Sequence, residues 1–240
     1  MKKTLIATAT YNEVKNIKIF LNKIINLKIK LDILIIDDNS PDKTSLVIKK
    51  FQKKFQKKFN NIHLIKRSKK KGLDTAHKLM YKYAIKKQYD YLITMDADLS
   101  HNPKTIPKFL KVIKKYDCVV GSRYVEGGRK DLKGFRLFLS KYGNQFIQYI
   151  LGISLSEFTT SYRCFNLYKL KKFNLNSVKA KGYSFFMNTI YLLDKQGYSI
   201  KEIPIIFYER NSGKSKIPKI ELIRTLLNIL LIKFNFLKKS

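Results

Sequence analysis

The sequence predicts an α/β fold, with a mostly parallel sheet flanked by helices, and three observations indicate it. Five short apolar segments rich in β-branched residues recur along the first half, separated by longer segments with helical periodicity. These apolar segments do not alternate with polar residues, which is typical of parallel strands buried on both faces. The chain has 240 residues, 45% of them hydrophobic, and can bury one large core. Residues 1–123 are therefore expected to form an open α/β sheet.

The predicted strands follow one another with spacings that suit right-handed helical crossovers. The N-terminal segment begins like a signal peptide, but only about five apolar residues precede Tyr11, fewer than a signal sequence needs. It is therefore predicted to be the first strand. The five predicted strands are Thr4–Thr10, Ile33–Ile36, Ile62–Ile65, Tyr91–Met95 and Cys118–Gly121.

The pattern changes beyond Gly121, where a glycine-containing loop leads into a helix with two distinct faces. Such a helix can pack on the sheet, or it can lie in a membrane interface with its polar row turned toward a headgroup phosphate. Both arrangements are compatible with the sequence. The apolar row is Phe138, Tyr142, Phe146 and Ile150, and the opposite row is Arg136, Ser140, Asn144 and Gln148.

The C-terminal stretch Ile217–Leu237 is rich in Leu, Ile and Phe, but Arg224, Asn228 and Lys233 interrupt it. No uninterrupted run approaches the roughly 18 apolar residues of a spanning helix. We expect residues 217–240 to form an amphipathic helix that lies on a surface.

The formal net charge of +33 favours anionic partners, such as nucleic acid, acidic lipid headgroups or phosphorylated substrates. The abundance of Lys, Ile and Asn together with the absence of Trp would also follow from A/T-rich coding, so charge alone does not choose among them. Cys118 and Cys164 lie in apolar segments without metal-ligand spacing, which favours a reducing cytoplasm.

Acidic residues are scarce, yet they cluster directly after the predicted strands. Asp37-Asp38 follows the second strand, and Asp96-Ala97-Asp98 follows the fourth. Ligands bind at the carboxyl ends of strands in open α/β sheets, and crowded carboxylates repel one another unless a cation lies between them. Hard oxygen ligands suit Mg²⁺ or Mn²⁺, which would also bind a nucleotide diphosphate. An Asp-x-Asp motif taken alone is also typical of a helix cap.

Several motifs in order resemble glycosyltransferase family 2, in particular its dolichyl-phosphate mannosyltransferase group, along nearly the whole chain. Ala9–Glu13, Asp37–Asp42 and Asp96–His101 correspond to the Pro-Thr-Tyr-Asn-Glu, Asp-Asp-x-Ser-Pro-Asp and Asp-Ala-Asp-Leu-Ser/Gln-His motifs of that family. The remaining matches are Arg67, Lys71–Leu73, Gly121–Tyr124, Gly127, Gly128, Arg136, Ser140, Asn144, Arg210, Gly213, Ser215 and Lys216.

The resemblance implies one GT-A domain, the nucleotide-diphospho-sugar transferase fold, with amphipathic interfacial helices. It implies a nucleotide-binding half over residues 1–123, an acceptor-binding half over residues 124–216 and the C-terminal helix. It also implies a metal site at Asp96 and Asp98. The implied nucleotide-binding residues are Thr10, Tyr11, Glu13, Asp37, Asp38, Gly72 and Asp96, and the implied catalytic residues are Asp98, Arg123, Arg136, Ser140, Arg210 and Lys216.

The activity that the resemblance implies is transfer of mannose from GDP-mannose to dolichyl or polyprenyl phosphate, with inversion, at the cytoplasmic face of a membrane. The protein is expected to attach peripherally. A phosphate with a second pKa of about 6 is mostly deprotonated near neutrality, so no general base is required.

Two other functions are compatible with parts of the sequence. A family 2 enzyme could use UDP-glucose or act on a hydroxyl of a polysaccharide or glycolipid, which requires a carboxylate base. A basic nucleic-acid-binding protein is the more distant alternative, and acids clustered at strand ends argue against it, so we expect no nucleic-acid partner.

Four departures from the family pattern bear on the donor and sugar more than on the reaction class. Ala9 replaces a Pro, Asp74 replaces a Gly, and Asn188 stands where many relatives carry Glu. Thr159–Arg163 replaces the usual Thr-Ser-Gly-Phe-Arg.

Overall fold

A computed structural model describes residues 2–55, 61–130, 135–208, 228–231 and 233–234, but not the side chains of residues 130 and 135–141. All five predicted strands are confirmed, each to within one residue at either end. They are β1 Thr4–Thr10, β2 Asp32–Asp37, β3 Ile62–Lys66, β4 Tyr91–Thr94 and β5 Cys118–Ser122.

Helices separate these strands, as the spacing predicts, and two helices, a 3-10 turn and four further strands follow β5 within the described residues. In the first half they are α1 Val14–Ile25, α2 Thr44–Phe55, α3 Leu73–Lys86, a 3-10 turn at Pro103–Thr105 and α4 Ile106–Val112. In the second half they are β6 Arg129–Lys130, α5 Phe135–Leu151, β7 Arg163–Asn166, a 3-10 turn at Leu175–Ser177, α6 Ser184–Lys195, β8 Ile200–Pro204 and β9 Ile206–Phe207.

The seven-stranded sheet has the order β3-β2-β1-β4-β7-β5-β8, and a second, small sheet pairs β6 with β9. Strands β3, β2, β1 and β4 are parallel, β7 is antiparallel to both of its neighbours, and β8 is parallel to β5. Thr10 and Asp37 are register partners at the ends of β1 and β2. The polar motifs that follow β1, β2 and β4 therefore lie along one edge of the sheet.

Both faces of the sheet are covered, which explains why the strands are apolar throughout. Leu5 and Leu34 face a core formed with α3, α5 and α6. Ile6 and Ile33 face the other core, formed with α1, α2 and α4. Because successive side chains of a strand point to opposite faces, a strand between two cores needs an apolar residue at every position.

Helix α5 packs against the protein by a different face from its apolar row. Asn144, Ile147 and Leu151 are buried, whereas Tyr142 and Phe146 are about half exposed. Of the two arrangements that the sequence leaves open, packing of Tyr142 and Phe146 on the sheet is therefore excluded.

The part of the C-terminal segment that the structure describes is helical at residues 228–231 and 233–234. Ile229 is buried in the core, and Asn228 donates a hydrogen bond of 2.9 Å to the hydroxyl of Ser184. Leu230 and Phe234 are exposed. Among the described residues, no helix combines the length and the apolarity that crossing a membrane requires.

Candidate active site

The ends of β1 and β2 are joined by a buried carboxylate. Asp37 is fully buried and accepts hydrogen bonds from the hydroxyl of Thr10, at 2.9 Å, and from the backbone N–H of Ser40, at 3.1 Å. The Ser40 hydroxyl donates to the same carboxylate at 2.5 Å. Thr10 and Asp37, both predicted nucleotide-binding residues, thus bind each other and fix the geometry of this edge.

The loop after β1 is anchored on the loop after β2. The backbone N–H of Asn12 donates to the Ser40 hydroxyl at 3.0 Å, and that of Glu13 donates to the Thr44 hydroxyl at 3.0 Å. The Glu13 carboxylate accepts from the Asn16 amide at 2.8 Å. Because the Thr10 carbonyl also accepts a hydrogen bond from the Asp38 N–H, the backbone is fixed on both sides of Tyr11.

A buried ion pair forms the next part of the edge. The Arg67 guanidinium pairs with the Asp38 carboxylate and donates to the Gly72 carbonyl at 3.1 Å, and both partners of the pair are buried. The Lys71 backbone N–H reaches Asp38 at 3.3 Å. Gly72, which precedes α3, has φ +89°, a value that residues with a Cβ rarely adopt. The structure therefore brings Asp38 and Gly72 together through Arg67.

In the Asp-x-Asp loop after β4, each carboxylate accepts a hydrogen bond from a serine hydroxyl. The Ser161 hydroxyl donates to Asp96 Oδ1 at 2.7 Å, and the Ser100 hydroxyl donates to Asp98 Oδ1 at 2.6 Å. Leu99, between Asp98 and Ser100, has φ +69°. This conformation turns the chain so that the Ser100 N–H also reaches Asp98 Oδ1, at 3.1 Å. A strained residue of this kind persists only where its surroundings hold it.

The His101 side chain binds the backbone of the same loop. Its Nδ1 accepts a hydrogen bond of 3.1 Å from the Asp96 backbone N–H, so the proton of the neutral ring is on Nε2. Burial lowers the pKa of His101, although the Asp96 and Asp98 carboxylates raise it. The ring packs at 4.9 Å from Tyr162 and 5.6 Å from Phe207. A neutral imidazole thus fixes the backbone at Asp96.

The donor set fits a divalent cation shared with a phosphorylated ligand. Within the described residues, no group of three or more His, Cys, Asp or Glu side chains is placed to hold a metal ion alone. Asp96 and Asp98 supply two hard carboxylates, and Asp96 keeps 35% of its side chain exposed. Mg²⁺ is usually bound by one or two carboxylates together with substrate phosphates and water, and this pair suits that pattern.

Arg123, the first residue after β5, binds a buried glutamate. Its Nε donates to Glu157 Oε2 at 2.6 Å, and its Nη2 donates to Glu157 Oε1 at 2.8 Å. Glu157 is fully buried. Burial alone would raise the pKa of Glu157, but Arg123 and the Thr159 N–H and hydroxyl hold it below its usual value. Both partners are therefore ionised near neutrality.

The other predicted catalytic residues are placed only in part. Arg136 and Ser140 lie on α5, where the backbone but not their side chains is described, and Arg210 and Lys216 lie outside the described residues. The sequence prediction missed the roles of Glu157 and Ser161 at this edge. Both lie in or beside the Thr159–Arg163 motif that departs from the family pattern, so this departure was the available signal.

The mostly parallel sheet, its inserted antiparallel strand and the Asp-x-Asp loop at the carboxyl edge define the GT-A fold. The chain aligns over 96% of its length with TarS 1–349 from S. aureus bound to UDP-GlcNAc, at TM-score 0.64 and 14% identity. It aligns over 99% with mannosyltransferase PcManGT from Pyrobaculum calidifontis bound to GDP-Man and Mn²⁺, at TM-score 0.62 and 15% identity. It spans 66% and 64% of those two chains, respectively.

The sequence relationships are more specific than the shared fold. Residues 5–173 match the model of glycosyl transferase family 2, so the chain belongs to that family. It is 32% identical over 217 residues to polyprenol monophosphomannose synthase of Mycolicibacterium smegmatis, covering 90% of this chain and 81% of that protein. It is 31% identical over 208 residues to undecaprenyl-phosphate mannosyltransferase of Micrococcus luteus, covering 86% and 84%.

Proposed function

We propose that this glycosyltransferase moves mannose from GDP-mannose to a polyprenyl or dolichyl phosphate, with inversion at the anomeric carbon. The observation that carries the proposal is the similarity to two polyprenyl-phosphate mannose enzymes over most of the chain. PcManGT, which shares the fold, was crystallised with GDP-Man and Mn²⁺. The domain is proposed to divide into a donor half at 1–123, an acceptor half at 124–216 and the C-terminal helix at 217–240.

The donor is proposed to bind along the carboxyl edge of β1, β2 and β4. Tyr11, Glu13, Asp38 and Gly72 hold the base and ribose. Asp37 and Thr10 keep the two strand ends in register. Asp96 and Asp98 hold Mg²⁺ or Mn²⁺, which when bound offsets the charge of the departing nucleoside diphosphate. Asp37 acts through Thr10 and Ser40, because its carboxylate is fully buried.

The acceptor is proposed to be a phosphate because three of the described acids beyond Asp98 are engaged by other groups and are poor general bases for a hydroxyl. Glu157 is bound to Arg123, Glu202 accepts two hydrogen bonds from Ser156, and Asp117 holds Ser199. A phosphate dianion needs no base and requires cations that offset its repulsion from the donor. Arg123, Arg136, Ser140, Arg210 and Lys216 are proposed to provide this environment.

Membrane attachment is proposed through the exposed aromatic stripe of α5, which comprises Tyr142, Phe146 and Tyr149. Their side chains are 51%, 45% and 83% exposed. Lys233 Nζ lies 3.9 Å from the position that a Cβ on Gly152 would take, so the C-terminal helical residues lie close to the end of α5. Their exposed side chains, Leu230, Leu231 and Phe234, extend the apolar surface there. Tyr and Phe partition into the interface, and each basic residue near an anionic leaflet contributes about 1 kcal/mol. Attachment is proposed to be peripheral, at the cytoplasmic face.

Transfer of radiolabelled sugar tests the reaction. GDP-mannose and UDP-glucose are each incubated with the protein, polyprenyl phosphate and Mn²⁺, with and without a chelator, and label is counted in the butanol extract. We expect label in lipid from GDP-mannose only, dependent on metal and lost in Asp98→Asn. Full activity of Asp98→Asn would refute the metal assignment.

Two further measurements separate the acceptor from the membrane contact. Glu126, exposed in the loop after β5, is a described carboxylate that a hydroxyl acceptor could use as its base. Because a phosphate acceptor needs no base, Glu126→Gln should leave transfer unchanged. Phe146→Ser should weaken flotation with anionic vesicles, whereas Tyr168→Ser, which alters a side chain 63% exposed outside the stripe, should not. Loss of transfer in Glu126→Gln would favour a hydroxyl acceptor.

A further inference from the structure

We infer that Glu157 is a positioning residue that aims the Arg123 guanidinium at the phosphates of the reaction, an inference that rests on the proposed function. The two side chains form a two-point contact, with distances of 2.6 and 2.8 Å between nitrogen and oxygen. A guanidinium held at two points has one orientation relative to the carboxylate. Glu157 itself is fully buried and cannot reach a ligand.

Thr159 and two aromatic rings hold the pair in place as well. Thr159 accepts from Arg123 Nη2 at 2.8 Å, and its backbone N–H donates to Glu157 Oε1 at 3.0 Å. The guanidinium carbon lies 5.1 Å from the ring centre of Phe207 and 5.5 Å from that of Tyr124. These contacts leave the guanidinium little freedom to rotate.

The geometry determines which donors remain for a ligand. A guanidinium has five N–H groups, and Glu157 and Thr159 take the one on Nε and the two on Nη2. Nη1 makes no hydrogen bond within the described part of the chain. Burial lowers the pKa of Arg123, but Glu157 and then, more weakly, Tyr124 and Asp96 raise it above its usual value. The charged Nη1 edge is thus left for a phosphate, and Asp96 is close enough to influence it.

The frame that holds the pair also includes helix α5. The Asn144 amide donates to the Tyr124 hydroxyl at 2.7 Å and accepts from the Phe158 N–H at 3.2 Å. One side chain therefore joins the residue after Arg123 to the residue after Glu157. The helix that carries Arg136 and Ser140 is tied in this way to the orientation of Arg123.

Positioning and charge compensation predict opposite results when Glu157 becomes neutral. If Glu157 only compensated the charge of Arg123, Glu157→Gln would leave a stronger cation and tighter nucleotide binding. If Glu157 positions the guanidinium, the same change releases it, and misplaced groups of this kind cost about 10- to 100-fold in rate. The effect should appear in kcat with little change in KM for the donor, because the contact matters most in the transition state.

The experiment compares Arg123→Ala, Glu157→Gln, the more conservative Glu157→Asp and the combined variants, with mannosyl transfer and thermal unfolding measured for each. We expect kcat to fall about 10- to 100-fold in both Arg123→Ala and Glu157→Gln. The combined variant should be no slower than Arg123→Ala, because residues that act through each other are not additive. Asp117→Asn, which removes a carboxylate at the opposite end of β5, is the matched control and should keep full kcat.

Chemical rescue provides a readout that a merely structural role would not give. Added guanidinium should restore part of the kcat of Arg123→Ala, because the Glu157 carboxylate can still bind the ion where the Arg123 side chain was. Rescue should fail when Arg123→Ala is combined with Glu157→Asp or Glu157→Gln. Should Glu157→Gln unfold, the Asp variant carries this comparison.

The possible results separate the inference from the proposed function. Equal rescue with and without Glu157, a kcat of Glu157→Gln within twofold of the unmodified protein, or multiplicative losses in the combined variant would each overturn the inference while leaving the function standing. Full kcat in Arg123→Ala would instead remove Arg123 from the proposed phosphate site, and the inference with it.

Discussion

Mild acid should destabilise the protein, because the buried His77 resists protonation in the folded state. His77, on α3, is buried, and its ring centre lies 4.9 Å from that of Phe186, a member of the core formed with α3, α5 and α6, in an edge-to-face contact. Burial, and then the nearby Arg163 guanidinium, lowers the pKa of His77 to about 3. The folded protein therefore keeps this histidine neutral where the unfolded chain would already bind a proton.

The magnitude follows from linkage between protonation and folding. Below an unfolded pKa of about 6.5, the unfolded state binds a proton that the folded state refuses, so stability falls by about 1.4 kcal/mol per pH unit. The loss continues until the folded pKa of about 3 is reached. Between pH 6.5 and pH 5 it amounts to about 2 kcal/mol, or about 4–8 °C in unfolding temperature for a chain of this size. Burial lowers the pKa values of His101 and His63 as well, which adds to the effect with the same sign.

Urea unfolding followed by circular dichroism at several pH values between 5 and 7.5 checks this prediction. In His77→Leu the slope of unfolding free energy against pH should become shallower, whatever the absolute stability of the variant. His63→Gln serves as the control, because His63 is only partly buried and should change the slope less. A slope that is equally steep in His77→Leu would show that the acid sensitivity arises elsewhere.

Three further predictions concern the polar edge. Arg67→Met leaves the Asp38 carboxylate buried without its partner and should cost about 3–5 kcal/mol of stability, measured from the denaturant midpoint; a smaller loss would mean that solvent reaches this pair. Ser161→Ala removes the hydroxyl from Asp96 and should raise the Mn²⁺ concentration that half-saturates GDP binding by about 10-fold, at nearly unchanged unfolding temperature. Gly72→Ala places a Cβ at φ +89° and should cost about 1–3 kcal/mol by urea unfolding, and a neutral result would indicate that the turn relaxes.

The fold of residues 1–123 was predictable because its strands lie between two cores. Burial on both faces makes each strand apolar throughout, so its limits stand out in the sequence, as the bounds of β1 and β4 illustrate. Strand β7 was not predicted, although Arg163–Asn166 is fully buried. Two of its four residues, Arg163 and Asn166, are polar, and the hydrogen bonds that they make go to neighbours that sequence does not reveal. Arg163 donates to the backbone carbonyls of Phe158 and Phe186.

The polar edge was only partly predictable, for a related reason. Acids directly after apolar strands identify the edge, because the carboxyl ends of parallel strands are where such a fold binds ligands. The partners that fix those acids come from distant segments, as when Ser161 reaches Asp96 across 65 positions and Glu157 reaches Arg123 across 34. Nothing in the spacing of one segment indicates the distance to another, so these pairings required the three-dimensional structure.

Helix α5 shows how one buried polar residue decides which face of an amphipathic helix meets the protein. The row of Tyr142 and Phe146 has more apolar surface than the row of Asn144, and hydrophobicity alone would bury the former. Segment 156–158 instead presents a backbone N–H that needs an acceptor, and Asn144 supplies it while also binding Tyr124. Leaving such a group unsatisfied costs about as much as the burial of one aromatic side chain contributes. With Asn144 fixed inward, the aromatic row must face outward, which is the orientation that peripheral attachment to a membrane would require.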